Sequence, residues 1–168
     1  MKNLKNPQKL FQTLKLCALI FGMTSVVQAQ EYDMTGKVNS VSKHNVQTIA
    51  DGHMVLFASM EESVVAEDYA DTPWKGVAGI CGGVVEIKGK AMKGNGVCTF
   101  TDADKEKFVL AWEAQEMNEK GEPKGAWKIT GGTGKYAKAE ARGSYTNLPN
   151  EPNSPNSTVH LTGKMLIP

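Results

Sequence analysis

The chain has 168 residues, 40% hydrophobic and 22% charged, with 19 lysines and arginines against 18 aspartates and glutamates. Four of the basic residues (Lys2, Lys5, Lys9 and Lys15) precede Ala29 and every acidic residue follows it, so residues 30–168 hold 15 basic against 18 acidic side chains, a balance of −3. That balance speaks against a nucleic-acid partner or an anionic membrane surface, and the length suits one domain that buries about two-thirds of its unfolded surface.

Residues 1–29 carry the marks of a secretory signal peptide. A basic leader without acids runs into the apolar stretch Leu16 to Val27, and Val27-Gln28-Ala29 supplies small residues for cleavage. The stretch falls short of the roughly 20 residues a spanning helix needs, so removal of the leader is expected to leave no membrane insertion. Cys17 leaves with the leader, which puts two cysteines, Cys81 and Cys98, in a domain expected to be periplasmic or secreted.

Apolar stretches then recur at short intervals over residues 30–168, which read as a single domain. Tyr32 to Val41 is a first strand, and Val46 to Met60 contains the near-continuous apolar run His53 to Ala58. Glu61 to Ala70 suggests one or two weakly patterned helical turns. In Val77 to Lys88, the residues Val77, Gly79, Cys81, Gly83, Val85 and Ile87 share one face; in Gly96 to Thr101, Cys98 shares a face with Phe100. With a hairpin between them, the two sulfurs meet on the apolar side, and a disulfide there would contribute about 3 kcal/mol. Lys107 to Glu113 places Phe108, Leu110, Trp112 and Ala114 inward and Glu113 outward.

Next comes Ala126 to Thr130, which is expected to end at the glycine run Gly131 to Gly134, because glycine reaches positive φ without a Cβ clash. A compact turn, Lys135 to Glu140, leads into Ala141 to Thr146. The Pro/Asn tract Leu148 to Ser157 reads as an exposed loop before a closing strand, Thr158 to Ile167. About eight strands, 17 glycines and no long amphipathic helix predict an all-β, eight-stranded antiparallel barrel with short helical turns.

Few residue patterns carry chemistry. Gly131 to Lys135 lacks both the earlier glycine and the following Ser or Thr of a phosphate loop, and no βαβ unit surrounds it. Asp102, Asp104 and Glu106 resemble the opening of a calcium loop, but Lys107 replaces the needed glycine, so a solvated hairpin turn is expected. His44, His53 and His160 have no ligand spacing, and no catalytic residue, metal site or cofactor is indicated. Phe57, Phe100, Phe108, Trp112, Trp127 and Tyr145 form the candidate inner aromatic set.

Two segments carry a family resemblance: Val97 to Asp104 running on to Ala111-Trp112-Glu113, and Trp127 to Tyr145 with its Gly-Gly-Thr-Gly-Lys-Tyr. Over Gly76 to Tyr145 the chain resembles exported bacterial proteins of the allene oxide cyclase and dirigent barrel superfamily, within the calycin-like barrels. The resemblance implies a barrel with an apolar cavity, often assembled as a homo-oligomer, specifically a trimer. It departs at Asp104-Lys105 and at Lys138, where the pattern has glycine, and it carries no catalytic residue onto this chain. Two functions follow: a binding barrel for a small apolar ligand or a protein partner, or a cyclase, isomerase or dirigent-type enzyme working in the cavity.

Overall fold

The computed structural model describes residues 29–151 and 154–168, so the leader lies outside the described residues apart from Ala29. Nine strands follow one another: β1 Gln30–Asp33, β2 Gly36–Ala50, β3 His53–Val64, β4 Ala78–Lys88, β5 Ala91–Thr101, β6 Lys107–Met117, β7 Pro123–Gly132, β8 Glu140–Pro149 and β9 Asn156–Ile167. All pairings are antiparallel. Strands β2 to β9 form a closed eight-stranded barrel, because β9 pairs with both β8 and β2. The short β1 continues the line of β2 along β9, pairing Gln30 to Asp33 with Lys164 to Ile167. Closure leaves no free sheet edge around the main ring.

Alternation sets the inside and the outside. Val38 and Ser40 of β2, Cys81 of β4, Cys98 and Phe100 of β5, Phe108 and Leu110 of β6, and Trp127 and Ile129 of β7 are buried. Large rings fit because glycines face them. The Trp112 indole lies across Gly83 and Gly96, where any Cβ would overlap it, and the Tyr145 ring lies over Gly125 in the same way. Cys81 and Cys98 face each other in the β4–β5 register and form the expected disulfide.

The hairpin turns at residues 51–52, 89–90 and 118–122, with Asn150, Glu151, Ser154 and Pro155 between β8 and β9, gather at one end of the barrel, which is open. The connections at residues 65–77, 102–106 and 133–139 gather at the other, which is closed. Its floor is the β3–β4 connection. Tyr69, Trp74 and Val77 are buried there; Trp74 stacks on Phe108 at 5.3 Å and tilts against Trp127 at 5.5 Å. Tyr136 donates its hydroxyl hydrogen to the Pro73 carbonyl at 2.6 Å, tying the floor to the glycine corner.

Three expectations need correction. Glu61 to Val64 continues β3 and is not helical, because the barrel pairing of this segment with β2 and β4 overrides its weak local pattern. Gly131 and Gly132 remain in β7, paired with Val109 and Phe108, so the corner begins two residues later, at Thr133, and leads into a 3₁₀ turn at Gly134–Tyr136. The Asp102 to Glu106 turn is not simply solvated. Lys135 Nζ sits 2.6 Å from Asp102, 2.8 Å from Asp104 and 3.3 Å from Glu106. Glycine is required at 134, where φ is +51° and a Cβ would overlap the Glu106 carboxylate. The three acids that suggested a calcium loop thus hold an ammonium.

Candidate functional site

Between the closed end and the mouth lies a cavity of about 280 Å³. Its walls are mostly apolar. Phe100, Phe108, Trp112, Trp127 and Tyr145 line it together with Leu110, Val85 and Met60, and His44, Met92 and Met117 stand toward the mouth. Five of the six aromatics expected inside are therefore in the lining.

Phe57 is not. It faces outward and is 50% exposed, while its neighbours Leu56 and Ala58 line the cavity. The continuous apolar run around it concealed which residues point inward; the i, i+2 series Ala58, Met60, Glu62 and Val64 fixes that face. Outside, Phe57 pairs with Val84, and with Ile80 and Val97 it forms an apolar patch on β3 to β5.

Glu62 is the lining residue that sequence reasoning missed. Among the described residues it is the only carboxylate in the lining, and none of them that lines the cavity is a lysine or arginine. Burial pushes its carboxyl up to about 7, against the opposing pull of the nearby Ser40 hydroxyl. The Tyr145 hydroxyl is pushed up to about 12, first by burial and then by the charges of Glu62 and Glu113. A reading that carried strand alternation beyond Met60 would have found Glu62.

Three polar residues of the lining, Trp112, Asn147 and Ser157, have a buried atom (Nε1, Oδ1 and Oγ) with no hydrogen-bond partner in the protein; Ser40 is buried beside Glu62, outside the lining. Trp127 differs, since its indole N–H donates to the Ser144 carbonyl at 3.1 Å. Glu62 and the sulfurs of Cys81 and Cys98 lie within 4.8 Å of one another, but the sulfurs are bonded to each other and present no thiolate to a metal.

The charge clamp at the closed end is a separate arrangement. Burial, the largest influence on Asp102, pushes its carboxyl up; the hydrogen bond from Lys135, the Glu106 backbone N–H and the neighbouring Tyr136 together outweigh it and hold Asp102 below the usual range. Burial likewise pulls Lys135 down, and its three carboxylate partners more than reverse that. Such saturation of one cation by three acids is structural, joining the β5–β6 turn to the corner before β8. Among the described residues, no helix is long and apolar enough to cross a membrane.

The barrel is similar to the structure of the pterocarpan synthase dirigent protein GePTS1, with a TM-score of 0.51 and 13% sequence identity, covering 84% of this chain and 87% of that one. At that identity the likeness is one of fold, a dirigent-like barrel. No protein-family model and no curated protein matches the chain.

Proposed function

We propose that the chain is an exported barrel protein, periplasmic or secreted, that binds a small, largely apolar ligand in its central cavity. The carrying observation is the cavity itself: about 280 Å³, lined by six Phe, Trp and Tyr rings, Trp74 of the floor included, and by aliphatic side chains, with a floor at one end and a mouth at the other. The leader-like residues 1–29 and the Cys81–Cys98 disulfide support the exported setting. The outward apolar residues Phe57, Ile80, Val84 and Val97 are the surface on which self-association, a trimer by resemblance, or a protein partner would rest.

A second reading is a cyclase, isomerase or dirigent-type role in which the walls hold a reactive substrate in one folded shape. The observation favouring it is Glu62, an ionisable group inside the cavity whose carboxyl is poised to gain or lose a proton near neutrality. Native mass spectrometry of protein purified from its own host tests the binding reading. The expected result is a retained small ligand that is lost in Ala58→Phe, which projects a ring into the cavity. Wild-type protein free of adducts, or equal retention by the variant, would overturn it.

A further inference from the structure

Three polar side chains lie in one row across the inner wall. Glu62 of β3 stands opposite Ser40 of β2, and Ser40 stands opposite Ser157 of β9. Ser157 lines the cavity, is 8% exposed and has no partner for its hydroxyl; Ser40 is 1% exposed, lies outside the lining and supports the Glu62 carboxyl from beside it. On the other side of Glu62, the row continues to Gly79, over which the Phe100 ring lies. Tyr145 of β8 is close enough to feel the Glu62 charge. The row is thus a carboxyl with one hydroxyl beside it and a second one strand further on, bordered by aromatic rings, set into an apolar chamber.

An apolar chamber with one carboxylate and no cation in its lining is out of electrostatic balance, since burying an uncompensated charge is costly. A ligand that brings the missing positive charge relieves that cost. An ammonium also supplies the donors that a carboxylate and two hydroxyl oxygens accept, and aromatic faces attract it. A ligand carboxylate or phosphate would instead meet Glu62 as a like charge. We infer that the Glu62–Ser40–Ser157 row is a head-group subsite for the protonated amine of an otherwise apolar ligand. This rests on the binding reading of the cavity and names the ligand class.

The titratable groups facing Glu62 are few. Tyr145 faces it from β8 and His44 stands toward the mouth on β2; Cys81 of β4 and Cys98 of β5 are oxidised and do not titrate, and Glu113 of β6 faces outward. With His44 also in the lining, the pH response that belongs to Glu62 is the part that Glu62→Gln removes. An aliphatic amine stays protonated through neutral pH, as lysine does.

The test is isothermal titration calorimetry with 2-phenylethylamine and 2-phenylethanol, which share an apolar body, at pH 8 and pH 5.5. The amine is expected to bind at least about tenfold more tightly than the alcohol at pH 8, because the head-group interactions are charge-assisted. Between pH 8 and pH 5.5 its affinity falls about 30-fold as Glu62 takes up a proton, while the alcohol's is unchanged. Glu62→Gln abolishes the preference and most of the pH response but still binds the alcohol. Ser40→Ala, with the carboxyl intact, weakens the amine several-fold at pH 8 and keeps the pH response. Alcohol binding with no amine preference, or a preference that survives Glu62→Gln, overturns the subsite and leaves the cavity reading standing. If neither compound binds, both fall.

Discussion

The two ends of the barrel are built on different principles. The closed end is held by interlocking contacts from distant parts of the chain: Trp74 from the β3–β4 connection against Phe108 and Trp127, Tyr136 on Pro73, and Lys135 gathered by three acids. The open end consists of short turns whose inner residues, such as Met117, Pro123 and Pro149, border the cavity. One end therefore carries much of the stability and the other is left free to admit a ligand. That division is what a binding barrel requires: a rigid floor below a mouth whose residues can change at little cost to folding.

Truncating the floor is the strongest way to break this contrast. Trp74→Ala should cost about 4 kcal/mol of unfolding free energy, because it removes a buried indole and leaves a void among aromatic neighbours. Met117→Ala at the mouth should cost about 1 kcal/mol or less. Urea denaturation of both variants measures the difference, and equal costs would erase the distinction between the ends.

A smaller effect is expected at the clamp. Lys135→Met leaves Asp102 buried without its ammonium and should cost about 2 kcal/mol at pH 7, allowing for the partial exposure of the lysine. The pH dependence has a definite sign. The Asp102 carboxyl is held below its unfolded value, so the stability it contributes is present above pH 3.8 and is lost as pH falls through the folded value. The penalty of Lys135→Met should therefore shrink on acidification below about pH 4. A penalty independent of pH would mean that the lysine acts through packing alone.

The effect at the cavity has the opposite sense. The Glu62 carboxyl is raised from 4.5 to about 7, so the folded chain loses stability as pH rises through that window. Glu62→Gln should be more stable than wild type at pH 8, by up to about 3 kcal/mol for a shift of that size, and close to it at pH 4.5. Thermal melts at the two pH values read this directly. Together, the clamp and cavity variants separate a titratable group that stabilises the closed end from one that burdens the binding chamber.

The barrel was legible because strand alternation is a local signal. It placed Cys81 against Cys98, set Phe108 to Ala114 on the inner face and sent Glu113 outward. The site was legible only where the alternation was clean. Phe57 sits in an unbroken apolar run that fits either face, and the adjacent acids Glu61 and Glu62 looked like the start of weakly patterned helical turns although Glu62 points inward. Trp74 and Tyr69 follow neither strand nor helix spacing. Their burial depends on a connection folding back across the barrel end, which no local pattern encodes. The clamp was not legible: Asp102, Asp104 and Glu106 resembled the opening of a calcium loop but read as a solvated turn, because their cation, Lys135, comes from a segment about 30 residues away.

The central claim is that a ligand enters the open end and rests above the floor. Methyl NMR of the methionines during titration with 2-phenylethanol tests it most directly. Met60, Met92 and Met117 line the cavity, whereas Met34 and Met165 are fully buried outside its lining. The account predicts saturable shifts at the first three and none at the last two. Shifts at Met34 and Met165 with Met60 and Met92 unmoved, or no saturable shift at any methionine, would contradict it.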